Sequence, residues 1–347
     1  MNRCRKGINY ILITGVILFI SCEQRLDKDE LTINTMMEEV KQEFAPDKRV
    51  ALFNMEYVRK GNETILKGES NLPEAVAKFK QMLAEQKIYF IDSIQLLPAS
   101  NLNGFTQGLI TISVANLRGK PAHSSELVTQ ATLGTPPDKY LSWVDRGGIR
   151  PLSAEKFTQW KSTPKVIYTN TIGHAYTEPN KDSQVISDMV AGGVLERIGE
   201  EKDFYYVAFP DGRKAYVSKT ASMDYESWLE ALDPSQESLV STSKTLMGVP
   251  YLWGGTSTKG VDCSGFTKTI YFLNGIVLPR DASQQIHTGK EIDVVKDFDK
   301  LEPGDLLFFG KPATDSTKER VIHVGMWIGN NEFIHSAGRV HISSVDK

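Results

Sequence analysis

The segment Asp262-Cys263-Ser264-Gly265-Phe266 decides how the C-terminal part of the chain folds. It follows a glycine-rich loop over residues 254–260, and Phe266, Ile270 and Leu273 then recur at the spacing of one helical face. The pattern predicts a helix that begins at or near Cys263. At a helix N-terminus the unpaired N–H groups and the macrodipole stabilise a thiolate, and the same N–H groups can hold an oxyanion. We therefore predict that Cys263 is a nucleophile rather than a structural thiol.

The first 21 residues have the character of an export signal. Basic residues precede a hydrophobic run from Ile8 to Ile20, which is too short to span a bilayer comfortably, and Ser21-Cys22 follows it. This pattern resembles a bacterial lipoprotein signal and predicts cleavage before Cys22, lipidation of Cys22 and anchoring in the cell envelope, on the periplasmic or outer-membrane side. A plain secretory signal and an uncleaved anchor helix are the alternatives. Because only Cys263 would then remain as a free thiol, no internal disulfide is predicted.

Composition limits the partners of the chain. The 347 residues carry 40 Lys and Arg against 43 Asp and Glu, a net charge of −3, and the signal segment removes basic residues only. The sequence contains no basic tract and no interleaving of aromatic and basic residues, so nucleic-acid binding is not predicted. The length suits two to four small domains.

The pattern along the chain predicts an α+β protein of several parts. Residues 22–100 combine strand-like alternation with an amphipathic helix over residues 73–86, which indicates a small α/β spacer domain. Short β runs separated by turn residues follow, and two related segments resemble a tandem pair of bacterial SH3-like barrels, the first of them shortened. The predicted divisions are a signal at 1–21, the spacer at 22–100, the SH3-like domains at 101–163 and 164–223, and a C-terminal domain at 224–347.

Two histidines follow Cys263 in regular strands. His323 lies in the run Val321–Gly329 and His335 in the run Glu332–Ala337. A two-residue loop between these strands would put the two rings on opposite faces, whereas a three-residue loop through Gly329 would put them on one face. With the three-residue loop, Cys263 would be the nucleophile, His323 the base and later the acid, and His335 the group that orients His323.

Other interpretations of these residues remain open. Each histidine alone is consistent with a satisfied, partly buried ring. Cys263, His323 and His335 could also supply three zinc ligands, although the sequence has no Cys-x-x-Cys or His-x-x-x-His spacing. We predict no metal and no cofactor, and we assign no role to His123, His174, His287 or His341.

The cysteine segment, His323-Val324-Gly325 and the second histidine together resemble the NlpC-type cysteine peptidase family. The resemblance covers roughly residues 236–347 and implies a papain-like fold that acts on bacterial cell-wall peptides. The preceding SH3-like pair and Tyr251 narrow the resemblance to γ-D-glutamyl-L-diamino acid endopeptidases. It implies a muropeptide substrate with a free N-terminal L-Ala, cut between D-Glu and the diamino acid.

The resemblance also implies roles for individual residues. Tyr251 would stand beside the nucleophile, and Asp262 and Ser264 would contact the amine end and the D-Glu portion of the peptide. Asp281 would line the side of the diamino acid, and Trp253 belongs to the same predicted cleft. The free amine would be bound by two residues of the first SH3-like segment, Glu126 and Tyr140.

Two departures from the family pattern leave alternatives. The shortened first barrel affects the placement of Glu126 and Tyr140. The twelve residues after His335 either leave the histidine sheet with an exposed edge or, as the simpler explanation, belong to a longer chain. A catalytically inactive peptidoglycan-binding scaffold is the alternative function. Acyl transfer or amidase chemistry on the same fold is a third possibility.

Overall fold

The computed structural model falls into two compact units, divided between Asn103 and Gly104. In the part of the chain that it describes, no helix is both long and apolar enough to cross a membrane. The predicted signal and Cys22 lie outside the described residues. These residues are 30–60, 63–137, 139–292, 298–317 and 319–346.

The N-terminal unit packs two helices on a three-stranded sheet. Its order is β1-β2-β3, with β1 and β2 antiparallel and β2 and β3 parallel. The parallel pair requires a crossover, which is supplied by a helix with proline at its first position. Ile33, Phe79 and Leu83 are fully buried in the shared core. The elements are α1 (residues 30–44), β1 (Phe53–Lys60), β2 (Glu63–Ser70), α2 (Pro73–Glu85) and β3 (Ile91–Leu96).

The second unit begins with a small β region. One strand pair joins β4 to β8, and a separate sheet has the order β6-β5-β7. Ile110, Ala115 and Leu117 form its buried core. The elements are β4 (Gln107–Ile110), β5 (Val114–Arg118), β6 (Leu127–Thr132), β7 (Trp143–Val144), β8 (Ile149–Leu152) and α3 (Ala154–Ser162).

A seven-stranded sheet follows, in the order β11-β10-β14-β13-β12-β9-β15. The pairings among the described residues leave β11 and β15 as its ends, so they form no closed barrel. The SH3-like barrels therefore stay a prediction, as do the predicted domain boundaries. The strands are β9 (Lys165–Tyr168), β10 (Ile172–Tyr176), β11 (Val185–Val190), β12 (Val194–Glu201), β13 (Phe204–Ala208), β14 (Lys214–Ser218) and β15 (Ser222–Asp224).

The C-terminal region packs helices against a four-stranded antiparallel sheet in the order β18-β19-β20-β21. The predicted helix after the cysteine segment is confirmed as α6, and its Phe266 and Ile270 pack on Met326 and Ile334 of the sheet. The elements are α4 (Tyr225–Glu230), α5 (Gln236–Thr245), β16 (Thr256–Ser257), β17 (Gly260–Val261), α6 (Cys263–Leu273), α7 (Ala282–Gln285), β18 (Leu306–Lys311), β19 (Arg320–Gly329), β20 (Glu332–Ala337) and β21 (Arg339–Ser344).

The residues after His335 add one further strand to the histidine sheet. The turn at Gly338, which has a positive φ of 71°, leads into β21, which pairs with β20 from Ala337↔Arg339 to Glu332↔Ser344. Both histidine-bearing strands, β19 and β20, are therefore interior strands of the sheet.

Candidate active site

Cys263 is the first residue of α6, as its sequence setting predicts. Asp262 is the N-cap, and its Oδ1 accepts a hydrogen bond of 2.7 Å from the N–H of Gly265. Glycine is required at 265, since a Cβ there would lie 1.9 Å from the carbonyl oxygen of Gly255. The close contact between helix start and preceding loop holds the thiol at the edge of the C-terminal domain, partly exposed.

Asp262 and Ser264, both predicted to bind substrate, are buried and bonded within the protein. The Arg280 guanidinium donates to Asp262 Oδ2 at 2.6 Å, and its Nη1 donates to the Ser264 hydroxyl at 3.0 Å. Asp262 Oδ2 also accepts from the N–H of Gly254 at 2.9 Å. The Asp262 carboxylate therefore links the glycine loop, the helix start and Arg280. A buried pair of this kind is costly to break, because either charge left alone would be desolvated without a partner.

The two histidines lie on one face of the sheet, but not through the expected three-residue loop. The turn is the two residues Asn330 and Asn331, both with positive φ, between the paired Gly329 and Glu332. A β-bulge at Ile328 then shifts the register, so that the next pairs are Trp327↔Phe333 and Met326↔Ile334. Beyond the bulge, the numbers of paired residues sum to an even value instead of an odd one. Both histidine rings therefore lie on the same side of the sheet.

A chain of hydrogen bonds fixes the orientation of both rings. His323 Nε2 lies 2.7 Å from His335 Nδ1, and His335 Nε2 lies 2.9 Å from Ser343 Oγ. If the thiol proton is to be accepted at Nδ1 of His323, its Nε2–H must donate to His335. His335 then carries its own proton on Nε2 and donates it to Ser343. The Ser343 hydroxyl can accept this hydrogen bond, so its position is compatible with the His335 tautomer that can orient His323.

His341, to which no role was assigned, lies against His335. The two residues pair directly between β20 and β21, with ring centroids 4.4 Å apart. Burial is the main cause that lowers the pKa of His323, and His341 adds to it. Burial, followed by His323 and His341, lowers the pKa of His335 to about 4. The alternation of side chains after Gly338 puts residues 341 and 343 on one face of the strand. This alternation is the sequence signal that could have identified both residues as neighbours of His335.

The environment of the thiol differs from the sequence expectation. Burial first, and then the Asp262 carboxylate, raises the pKa of the Cys263 thiol. The backbone N–H groups of Val324 and Ser264 and the charge of Arg280 act in the opposite direction but are smaller causes. The direction of this shift favours the protonated thiol, so a base that accepts its proton would assist attack by the sulfur. Val324 follows His323 on β19, so its contact brings the thiol to the histidine strand.

Tyr251 lies close enough to Cys263 and Asp262 for both to act on its phenol. Burial, followed by Cys263 and Asp262, raises the pKa of Tyr251 to about 12. The phenol is therefore a hydrogen-bond donor at every pH at which the protein would work. Its backbone N–H is held by the carbonyl oxygen of Gly338, 3.0 Å away.

The remaining predicted residues come from distant parts of the sequence. The Trp253 indole N–H donates to Glu126 Oε1 at 2.8 Å, and the Tyr140 hydroxyl donates to Asp281 Oδ2 at 3.2 Å. These two contacts join the first β region to the loops on either side of α6. The shortened first β region thus still brings Glu126 and Tyr140 to the predicted cleft.

No group of three His, Cys, Asp or Glu side chains in the described ranges is arranged to hold a metal ion. The chemistry that this arrangement supports is nucleophilic: a thiol at a helix start, an imidazole base and a second imidazole that orients it.

Comparison with known proteins agrees with this chemistry. Residues 248–347 match the NlpC/P60 family model. A curated relative from Bacillus cereus, named gamma-D-glutamyl-L-lysine dipeptidyl-peptidase, is 34% identical over 235 residues, which span 62% of this chain and 68% of the relative. The chain belongs to the NlpC/P60 family. It is accordingly a cysteine peptidase, and the resemblance noted from the sequence is confirmed.

Two further similarities extend beyond the NlpC/P60 region. A Bacillus subtilis protein with the same name is 41% identical over 143 residues, which span 41% of this chain and 44% of the relative. The crystal structure of an NlpC/P60 family protein from Bacillus cereus matches with a TM-score of 0.56 and 27% identity, covering 70% of this chain and 95% of that chain. The likeness therefore includes β regions that precede the NlpC/P60 domain.

Proposed function

We propose that this NlpC/P60 enzyme hydrolyses the bond between γ-D-Glu and a diamino acid in short cell-wall peptides with a free N-terminal L-Ala. The observation that carries the proposal is the attachment of Glu126 and Tyr140 to Trp253 and Asp281. The contact of the Glu126 carboxylate with Trp253 supports a binding site for a substrate ammonium at that end of the cleft. The names of the Bacillus relatives support the same bond specificity.

In the proposed reaction, His323 Nδ1 takes the proton of Cys263 as the sulfur attacks the γ-carbonyl carbon of D-Glu. The carbonyl oxygen becomes an oxyanion, which the helix N-terminus and the Tyr251 hydroxyl can stabilise. When the carbon–nitrogen bond breaks, the imidazolium of His323 gives its proton to the leaving amine. Water, activated by His323, then hydrolyses the thioester and restores the thiol.

The proposed substrate contacts follow the charges around the cleft. The Glu126 carboxylate and Tyr140 would bind the ammonium of L-Ala. Asp262 is paired with Arg280 and would act on that end only by holding the helix start in place. Ser264 would meet the D-Glu portion through its backbone, since its hydroxyl is bonded to Arg280, and Asp281 would line the side of the diamino acid. Trp253 is 63% exposed and would supply an apolar wall.

The cellular setting is part of the proposal. The signal pattern and Cys22 support an envelope lipoprotein, exported and anchored through a lipid on Cys22. The two β regions would be SH3-like modules, the first of which covers one end of the cleft. A cleft covered in this way would admit short peptides rather than intact wall strands.

The test is a mass-spectrometric digest of L-Ala-γ-D-Glu-diamino acid tripeptide by the chain from Glu23 onward. We expect release of L-Ala-γ-D-Glu, and no release by Cys263→Ala. His174→Ala, a change of a β10 histidine remote in sequence from Cys263, is the control. Binding of the peptide without release by a folded wild-type protein would instead support the scaffold function.

A further inference from the structure

The feature that the proposed function leaves unexplained is a buried lysine in the second unit. Lys165, the first residue of β9, is 8% exposed. Its ammonium donates to the carbonyl oxygens of Thr163 at 2.6 Å and Lys161 at 3.2 Å, and it lies 4.6 Å from the centroid of the Trp160 ring. These partners solvate the charge without neutralising it.

Among the described residues, no carboxylate lies within ion-pair distance of the Lys165 ammonium. Glu196, its cross-strand neighbour on β12, and Glu226 on α4 act on it only at longer range. Burial is the largest effect and lowers the pKa of Lys165, while the two glutamates oppose that shift. A buried cation with incomplete compensation is unfavourable unless an anion joins it.

Lys165 lines a cleft of about 580 Å³ between the first β region, the second β region and α6. A cleft of this size lies within the usual range for small-ligand sites. Among the lining residues that the structure describes, the charged ones are four lysines and one glutamate. None of the predicted catalytic or substrate-binding residues lines it. The charged residues are Lys139, Lys161, Lys165, Lys268 and Glu226.

The cleft also has an apolar wall next to the cations. The rings of Phe157 and Trp160, on α3, stack with centroids 5.8 Å apart and an interplanar angle of 16°. Phe272 of α6 faces the same space. The ligand chemistry that matches this lining is a carboxylate on a compact body with apolar groups.

We propose that this cleft is a second, non-catalytic binding site for an acidic peptide whose carboxylate pairs with Lys165. That the peptide is a cell-wall stem peptide rests on the proposed function. The two sites differ in one chemical requirement. The catalytic cleft would bind a free amine through Glu126, whereas the lysines of the second cleft would repel an ammonium group.

Because only the catalytic cleft would require a free amine, a suitable probe for the second site is N-acetyl-L-Ala-γ-D-Glu, which lacks the free amine and keeps both carboxylates. Isothermal titration of the chain from Glu23 onward should show binding that weakens with salt. Lys165→Met should weaken it about tenfold or more, while Lys156→Met, a change of an α3 lysine outside the cleft, should leave it unchanged. Glu226→Gln should tighten binding by about twofold, an effect that misfolding cannot mimic.

Absence of binding by the wild type, equal binding by Lys165→Met, or equal binding of the uncharged diamide of the probe would each overturn the proposal. Hydrolysis of the free-amine tripeptide by the same preparations separates the two claims. Hydrolysis without binding of the probe contradicts the second site alone. Binding of the probe without hydrolysis contradicts the proposed function alone.

Discussion

At the residue scale, the sequence indicated the candidate reacting groups but not the side chains that contact them. Spacing and residue type selected Cys263, His323 and His335. The sequence analysis missed His341 and Ser343 because their contacts depend on the turn at Gly338. After this turn, β21 brings both side chains next to His335. The sequence analysis considered the helix start alone, whereas burial and the Asp262 charge raise the pKa of the Cys263 thiol.

Ser343→Ala removes the hydrogen-bond partner of His335 Nε2, which helps to fix the orientation of that ring. The loss of a neutral hydrogen bond of about 1 kcal/mol should lower kcat by about fivefold, with little change in KM. Steady-state kinetics on the tripeptide measures both constants, and Ser343→Thr should restore the rate. Ser344→Ala is the matched control, since its hydroxyl donates to Asn331 rather than to a histidine. Equal kcat for Ser343→Ala and wild type would contradict the positioning role.

His341→Gln should move the acid limb of the pH profile of kcat/KM to higher pH. His323 must be neutral to accept the thiol proton, so activity falls as the pH drops through its pKa. His341 is one cause that lowers this pKa, together with burial. Its removal raises the pKa and costs activity under mildly acidic conditions. His174→Gln, on β10, should leave the profile unchanged, and an unshifted limb in His341→Gln would show that His341 has no influence on the base.

At the element scale, the helix and strand types followed from periodicity, whereas the register did not. The alternation of side chains along the strands predicts that a two-residue turn puts the two histidines on opposite faces. The turn between β19 and β20 does have two residues. The bulge at Ile328 reverses that result, and an isoleucine gives no sequence signal of a bulge. Local patterns therefore predicted the sheet, while its register depends on packing against α6.

Gly325 on β19 makes room for the second histidine. A Cβ there would lie 2.8 Å from Phe333 Cδ2 and 3.2 Å from His335 Cβ. Gly325→Ala should therefore lower the free energy of unfolding by about 1–3 kcal/mol and reduce kcat through displacement of His335. Denaturant unfolding and kinetics measure the two effects. Gly199→Ala on β12, where the nearest atoms are 3.7 and 3.8 Å away, should change neither quantity, and an unaffected Gly325→Ala enzyme would refute the crowding argument.

At the scale of the whole molecule, the composition of the cleft depends on contacts that local patterns cannot reveal. Glu126 is 127 residues from Trp253, and Tyr140 is 141 residues from Asp281. The family resemblance named these residues as candidates, and only the folded chain brings them together. The cationic cleft at Lys165 had no counterpart in the sequence interpretation, because its lysines are scattered through segments that separately look like solvated surface.

Glu126→Gln tests whether the first β region sets substrate choice. Loss of a carboxylate paired with the substrate ammonium should lower kcat/KM for the free-amine tripeptide by about tenfold or more. The value of kcat/KM for the N-acetylated tripeptide, which is much lower, should not change. The ratio of kcat/KM between the two substrates should therefore fall. Equal losses on both substrates would indicate damage to the cleft instead of loss of amine recognition, and Glu155→Gln on α3 controls for the change in net charge.

The most direct measurement is the capture of the acyl-enzyme by acid quench during turnover of L-Ala-γ-D-Glu-diamino acid tripeptide, followed by peptide mapping with mass spectrometry. The account predicts an L-Ala-γ-D-Glu adduct on the peptide that contains Cys263, with free diamino acid equal in amount to this adduct plus the L-Ala-γ-D-Glu already released. Release of the diamino acid that persists in Cys263→Ala, or an adduct on any other residue, would contradict it.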